Sequence, residues 1–265
     1  MLALPFLTEA PAMLTDPSFY LAAIPAVLIV GISKGGFGGG LALVAVPMLA
    51  LVIAPTQAAA IMLPILCLMD LVAMWGFRGR FDRNNLKILL PAAALGITLG
   101  ALSFHQLSED HLKLLIGGVT LSFCLNTFWQ ALNKQLPEAK PASPGRGSFW
   151  GLLAGFTSFS VHAGGPPLNF YLLPQRLEKS LFAGTTVLFF AAINYMKLIP
   201  YGMLGLLQPG NITTSLVLMP LAAFGVWLGI KLHSRVDETL FYRFCYGFLF
   251  LTGCKLCWEA GNALF

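Results

Sequence analysis

Charged residues are scarce in this sequence. Asp, Glu, Lys and Arg make up 10% of the 265 residues, whereas 57% are hydrophobic and the mean hydropathy is +0.78. A soluble domain carries about a quarter charged residues, and no water-soluble core could bury so much apolar side chain. The scarcity excludes a soluble domain and predicts an all-α integral membrane protein, with room for about eight to ten membrane segments of roughly 20 residues.

Several chemical signatures are also missing. The sequence has no G-x-x-x-x-G-K-[ST] loop, so ATP is not expected to drive the protein. Cys254 and Cys257 have C-x-x-C spacing but lack the further ligands of a zinc site, and packing in a helix explains them better. We therefore expect no metal, no cofactor and no catalytic residue. No basic residue precedes Lys34, so we expect the first membrane helix, not a cleaved signal peptide, to direct targeting.

The net charge of +5 indicates topology rather than a nucleic-acid partner, because basic residues fall in short loops. One loop carries Arg78, Arg80, Arg83 and Lys87. Its counterpart in the second half, residues 208–211, has no charge. Basic loops mark the cytoplasmic side. The pattern predicts a multi-pass protein of the bacterial inner (plasma) membrane with both termini extracytoplasmic.

The second half of the chain repeats the first at a spacing of 129 residues. The identical pairs include Gly35 and Gly164, Gly36 and Gly165, Thr56 and Thr185, Gly76 and Gly205, Pro91 and Pro220, Gly96 and Gly225, Gly100 and Gly229, Glu109 and Glu238, and Gly118 and Gly247. Internal repeats are frequent in secondary transporters. Each repeat contains five apolar segments, an odd number, and the loop charges of the two repeats are opposed. We therefore predict two inverted repeats.

Short segments open each repeat. The five of the first repeat are Ser18 to Ser33, Leu41 to Ile53, Thr56 to Phe77, Ile88 to Phe104 and Leu112 to Gln130. The second repeat opens with Phe149 to Val161 and Leu168 to Leu177, too short to cross a hydrocarbon core of about 30 Å. We predict a re-entrant hairpin or broken helix there, then three spans. The predicted division is an extracytoplasmic segment 1–17, repeat one 18–130, a cytoplasmic linker 131–148 and repeat two 149–265.

Glycine-rich stretches interrupt the opening segments and are the candidate substrate site. Irregular backbone inside a membrane is tolerated only against protein or a water-filled cavity. Helices that start after such breaks would direct free N–H groups at an anion. The candidate residues are Ser33, Lys34, Gly35, Gly36, Gly38 and Gly39 in the first break and His162, Gly164, Gly165 and Asn169 in the second.

Lys34 is the leading anion contact, because a lysine inside a bilayer costs about 2.5–3.5 kcal/mol unless it reaches water or a partner. The alternative is a lysine that extends to the cytoplasmic surface and anchors the topology. His162 is compatible with anion binding or proton transfer and equally with packing.

Two further ionisable residues, Asp70 and Lys197, lie at nearly matching depths of the third segments. They are candidates for coupling or for an ion pair between the repeats. Lys197 is also compatible with a position at the membrane interface beside Pro200 and Tyr201. Polar residues of the third segments that could line the same cavity, or bond helices together, are Thr56, Gln57, Thr185, Thr186 and Asn194.

One enzyme interpretation competes. Residues Gly31 to Gly35 fit G-x-S-x-G, and Ser33 and His162 are 129 residues apart, so they are compatible with the dyad of a membrane-embedded serine hydrolase. The usual context of that motif is a strand-to-helix turn, which the apolar pattern does not offer. The hydrolase is the weaker interpretation.

The stretches S-K-G-G-F-G-G-G-L, H-A-G-G-P-P-L and Y-L-L-P-Q-R-L resemble the TauE/SafE family of sulfite exporters, and the resemblance extends from Phe19 to Trp258. It implies transport of sulfur-containing anions such as sulfite or organosulfonates. Pro166 and Pro167 follow Gly164 and Gly165, so the two halves of the site are unequal. We expect a secondary transporter that works by alternating access, with an anion channel as the alternative. The expected partners are a small anion and the lipid bilayer, and no pattern marks a dimer face.

Overall fold

The computed structural model describes residues 14–36, 42–77, 79–132, 140–232 and 238–264. All regular structure in these ranges is helical, which confirms the predicted all-α fold. The helices are α1 Pro17–Gly36, α2 Ala45–Leu49, α3 Pro55–Gly76, α4 Arg83–Ser103, α5 Glu109–Leu132, α6 Pro144–Val161, α7 Gly165–Leu172, α8 Lys179–Met203, α9 Pro209–Leu232 and α10 Glu238–Leu264.

Five helices in the described ranges are long and apolar enough to cross a membrane, namely α1, α3, α4, α8 and α9. Large apolar side chains lie exposed on them, among them Leu21, Trp75, Leu102, Ile199 and Met203. Exposed apolar side chains of this size suit contact with lipid rather than with water. The fold is that of a multi-pass membrane protein.

The two halves of the chain repeat one order of elements. A long helix (α1 or α6) is followed by a very short one (α2 or α7) and then by three long ones. The bounds correct one expectation, because α1 has 20 residues and α6 has 18, so only the second member of each opening pair is short. Helix α1 continues through the glycines up to Gly36, and α6 begins at Pro144, inside the predicted linker.

Capping residues define the starts of two central helices. The Asp82 carboxylate accepts a hydrogen bond of 2.8 Å from the backbone N–H of Asn85 and caps α4. The Glu178 carboxylate caps α8 by accepting from the hydroxyl and the backbone N–H of Ser180, and these hydrogen bonds lower the pKa of Glu178. Both caps lie at the same end of the α3–α8 pair, where α3 ends and α8 begins.

The first helix of each half packs closely along the fourth helix of the other half, α1 on α9 and α6 on α4. Glycine permits this approach, because a Cβ at Gly35 would overlap the Val226 carbonyl and a Cβ at Gly155 would overlap the Ala93 carbonyl. The repeated pair Gly96 and Gly225 lies in these same contacts, in α4 and α9. The packing explains why α1 stays helical through Gly35: close tertiary contact outweighs a helix propensity cost of about 1 kcal/mol per glycine.

Helices α3 and α8 lie between two apolar cores. Ile61 of α3 and Val187 of α8 belong to the core around α1, α5 and α9. Leu63 of α3 and Phe189 of α8 belong to the core around α4, α6 and α7. Polar side chains on the buried faces of α3 and α8 are therefore held inside the protein, away from lipid.

Candidate functional site

Lys34 lies in the last turn of α1 and forms a buried ion pair with Asp70 of α3. Lys34 is 2% exposed and Asp70 1% exposed. The second carboxylate oxygen of Asp70 accepts a hydrogen bond of 2.6 Å from Nδ2 of Asn194 on α8. This geometry excludes the alternative in which Lys34 extends to the membrane surface. A cation at the carboxyl end of α1 is also favoured by the helix dipole.

Lys197 is the second buried lysine and is fully enclosed. Its Nζ donates to the carbonyl and the hydroxyl of Ser158, both at 3.0 Å, and lies 2.7 Å from Nδ1 of His162. The expected ion pair between Asp70 and Lys197 is wrong, because Lys34 and Asn194 occupy the Asp70 carboxylate. The interface position for Lys197 is also wrong, since helix α6 covers it.

His162 is placed by the break between α6 and α7. Its backbone is left-handed, with φ of 54°, a conformation in which His is enriched among non-glycine residues. The N–H of His162 donates to Ser158 and that of Ala163 donates to Thr157, while the Thr157 hydroxyl donates to the carbonyl of Ala163. These bonds close the end of α6 and turn the imidazole toward α3 and α8.

Both ring nitrogens of His162 are engaged. Nε2 lies 2.9 Å from the carbonyl oxygen of Ala59, so Nε2 carries the ring proton and donates a hydrogen bond to that carbonyl. Nδ1 then accepts from the Lys197 ammonium. Neither nitrogen is left to deprotonate Ser33, and the hydrolase interpretation loses its general base. Among the described residues, no group of three or more His, Cys, Asp and Glu side chains is placed to hold a metal ion.

We call these six residues the buried polar cluster: Lys34, Asp70, Ser158, His162, Asn194 and Lys197. They come from α1, α3, α6, α8 and the α6–α7 break. The cluster contains two lysines and one carboxylate. Sequence reasoning identified five of the six and missed Ser158, whose only signal is its position four residues before His162 on one helix.

The described glycines of the two breaks differ from the expectation that helices starting after the breaks direct free N–H groups at an anion. Gly35 and Gly36 lie inside the last turn of α1, where the carbonyl end rather than the amide end of a helix is presented. Helix α7 begins at Gly165, but Pro166 and Pro167 carry no N–H and the N–H of Leu168 bonds to the Gly164 carbonyl. Half-buried Asn169 takes no part in the hydrogen bonds of the described cluster. Gly38 and Gly39 lie outside the described residues.

Thr56 and Gln57, at the start of α3, line an open cleft of about 270 Å³. Nε2 of Gln57 donates to Oδ1 of Asn211 across it at 3.3 Å. We call it the cleft, and its lining is Thr56, Gln57, Ala60, Leu206, Gln208 and Asn211. It lies one helical turn or less from Ala59, which holds His162. The sequence pattern does not single out Gln208 and Asn211 as site residues, although both lie in the uncharged loop 208–211.

Thr185 and Thr186 occupy the equivalent positions at the start of α8, but they are buried. The Thr185 hydroxyl accepts a 2.8 Å hydrogen bond from the backbone N–H of Asp82 and donates to the carbonyl of Leu181. The Thr186 hydroxyl is buried with no hydrogen-bond partner among the described atoms. These threonines therefore face a packed loop instead of a cleft.

The packed loop is the connection between α3 and α4. Nη1 of Arg80 donates to the Ser180 hydroxyl at 2.8 Å, and a Cβ on Gly184 would overlap the Arg80 carbonyl. The amide groups of Asn85 and Gln175 exchange two hydrogen bonds, at 2.9 and 3.1 Å. We call this assembly the arginine end.

Comparison with known families places the sequence in one of them. The sequence model described as sulfite exporter TauE/SafE matches residues 23–256, most of the chain. No curated protein and no solved structure matches it. The resemblance noted from the glycine-rich motifs is therefore confirmed at the level of the family. This chain belongs to the sulfite exporter TauE/SafE family of membrane transporters.

Proposed function

We propose that this protein is a secondary transporter that exports small sulfur-containing anions, such as sulfite or organosulfonates, by alternating access. Its two halves, residues 18–130 and 149–265, act as inverted repeats. The anion binds at the buried polar cluster, where helices of both halves meet. Transport needs no ATP in this proposal.

The observation that carries the proposal is the excess of buried basic side chains in the buried polar cluster, two lysines and one histidine for a single carboxylate. Lys34 is neutralised by Asp70, whereas Lys197 contacts only Ser158 and His162 among the described residues. An uncompensated ion in a protein interior costs several kcal/mol. A bound anion offsets that cost, so the enclosed lysine favours an anionic substrate over a neutral or cationic one.

Contacts along α3 and α8 support inverted repeats. Asp70 bonds to Asn194, while Cys67, earlier in α3, accepts from the hydroxyl of Tyr195, later in α8. Arg80, beyond the end of α3, bonds to Ser180 at the start of α8. Residue numbers thus rise along one helix as they fall along the other, as expected of equivalent helices in inverted repeats.

The two ends of this pair differ in a way that suits alternating access. The cleft is open at the start of α3, whereas the arginine end is sealed at the start of α8. In the bacterial inner membrane, the positive-inside rule predicts that the arginine end faces the cytoplasm and that both termini lie outside. In this orientation the open cleft faces outward while the buried polar cluster itself stays enclosed, which suits an occluded, outward-facing state. A membrane potential negative inside favours anion exit by about 2.3 kcal/mol per charge per 100 mV.

Counterflow in proteoliposomes tests the proposal. Vesicles loaded with unlabelled sulfite, thiosulfate, sulfoacetate or taurine would be diluted into a trace of the labelled compound. A carrier gives transient, saturable accumulation of at least one anion but not of zwitterionic taurine. Empty liposomes and a Lys197→Met variant serve as controls. Anion conductance without counterflow would establish a channel instead, and the absence of both signals would refute anion transport.

A further inference from the structure

The contact between Lys197 and His162 brings together two basic groups with no carboxylate between them. Nζ and Nδ1 are 2.7 Å apart, so they share one proton position: the ammonium donates and the imidazole accepts. The opposite ring nitrogen is fixed as a donor by the carbonyl of Ala59. In this arrangement His162 is neutral and the pair holds at most one positive charge.

Among the described residues, the groups around the pair supply no counter-ion. Lys34, Asp70 and Cys67 are the charged or titratable groups near enough to act electrostatically on Lys197. Both oxygens of Asp70 are already engaged, by Lys34 and by Asn194. On the remaining side, the Tyr201 ring lies 6.1 Å from that of His162, and its hydroxyl donates to the carbonyl of Phe159. Tyr195 directs its hydroxyl to the carbonyl of Cys67.

A second proton on this pair would place two like charges in contact, inside the protein and without compensation. An anion at the pair changes that balance, since it attracts the second charge at close range in a medium of low dielectric constant. Binding of the anion and binding of the proton must then favour each other equally, because coupling between two sites is reciprocal.

We infer that the Lys197–His162 pair takes up a proton when the transported anion binds, so that anion and proton move together and a divalent anion leaves as one net negative charge. This inference rests on the proposed function and names its coupling ion. The proton comes from water and adds to Nδ1 of His162, with no other bond formed or broken. Nδ1 then becomes a donor and no longer accepts from Lys197, so the Nζ–Nδ1 contact opens and both groups direct a donor at the anion.

The test uses thiosulfate and sulfate, whose charge is constant between about pH 5 and pH 8, where imidazole titrates. Affinity of the purified full chain would be measured by calorimetry across that range. A pH indicator in weak buffer would report proton uptake on anion addition. We expect uptake of up to one proton per anion and an affinity that falls with rising pH, by up to about tenfold per pH unit.

His162→Asn is the diagnostic variant, because asparagine tolerates the left-handed backbone at this position and does not titrate. It should take up less proton than the wild type on anion binding, and its affinity should depend less steeply on pH, because only Lys197 of the pair remains to titrate. His111→Gln is the matched control: His111 contacts exposed Ser108, far from the cluster in sequence, and its loss should leave the wild-type pH dependence intact.

Each outcome is decisive. Wild-type affinity that is constant with pH, without proton uptake, would overturn the inference and leave anion transport standing. Proton uptake as large in a folded His162→Asn protein as in the wild type would also overturn it, by placing the proton elsewhere. Failure of wild-type protein to bind either probe at any pH would refute the anion site itself, and the inference with it.

Discussion

The starts of α3 and α8 occupy equivalent places in the two halves, yet they are built differently. At the start of α3, Gln57 and Asn211 meet through side chains across an open cleft. At the start of α8, the equivalents of these residues are Thr186 and Asp82, and the loop of Arg80 closes over them. One framework therefore supports an open end and a closed end. The difference lies in a few polar side chains and one glycine, not in the order of helices.

The largest effect is expected inside the buried polar cluster, between the two ends. Lys34→Met leaves Asp70 buried without its partner, which should cost about 3–5 kcal/mol of unfolding free energy. It also removes the excess positive charge of the cluster, so anion affinity should fall at least about tenfold, or about 1.4 kcal/mol. Thermal unfolding in detergent and anion calorimetry measure the two effects.

The double variant Lys34→Met/Asp70→Asn should recover much of the lost unfolding free energy and of the lost anion affinity. It removes both charges of the ion pair and so restores the net charge of the cluster. Lys255→Met is the control: Lys255 is 55% exposed in its side chain, and its pairing with Glu259 should contribute at most about 1 kcal/mol. An equal loss of anion affinity in the single and the double variant would show that Lys34 acts on the anion directly.

A smaller effect is expected at the arginine end. Gly184→Ala places a Cβ against the Arg80 carbonyl, and such overpacking typically costs about 1–3 kcal/mol. Because the loop must move, we expect the closed end to open. In a protein without its native cysteines, Thr185→Cys should then react faster with a thiol reagent applied from the arginine side.

Gly202→Ala is the matched control, since Gly202 lies on the same helix and an added Cβ would meet nothing within 4 Å. Its labelling rate should equal that of the unmodified background. If Gly184→Ala leaves the labelling of Thr185→Cys unchanged while the protein stays folded, the packed loop is not what closes this end.

The smallest effects on stability are expected at two equivalent residues, Asp82 at the arginine end and Asn211 beside the cleft. Asp82→Ala removes the cap of α4 and should cost about 1 kcal/mol. Asn211→Ala removes a 3.3 Å hydrogen bond from Gln57 and a 3.0 Å hydrogen bond to the Leu206 carbonyl, both beside an open cleft where water can replace them, so the cost should be smaller than that of Asp82→Ala. Chemical denaturation in mixed micelles compares the two, and equal costs would contradict the difference between the ends.

Sequence periodicity was sufficient for the helices and for most of the cluster. Lys34, Asp70, Asn194 and Lys197 stood out because ionisable and amide groups are costly in apolar segments. Their pairing could not be derived, since Asp70 was equally able to reach either lysine until the crossing of α1, α3 and α8 was known.

The glycine-rich stretches gave the opposite result. The sequence showed that Gly35 and Gly164 are equivalent. It did not show that Gly35 lies inside α1 whereas Gly164 lies immediately before α7. That distinction depends on Val226 of α9, nearly two hundred residues away, against which Gly35 packs. Local pattern cannot report a contact so distant in sequence, and the first break was predicted too early for that reason, whereas α6 ends at Val161 as predicted.

The packing of α1 on α9 also sets an order for biogenesis. At about 5–20 residues per second, the ribosome needs roughly 10–40 s to synthesise the stretch between the two helices. During that time the glycine face of α1 has no protein partner, whereas Asp70 of α3 follows Lys34 by only 36 residues. The ion pair thus adds to the contacts that the newly inserted α1 makes with α2 and α3 of its own half, and pairing with α9 follows once that helix has been synthesised.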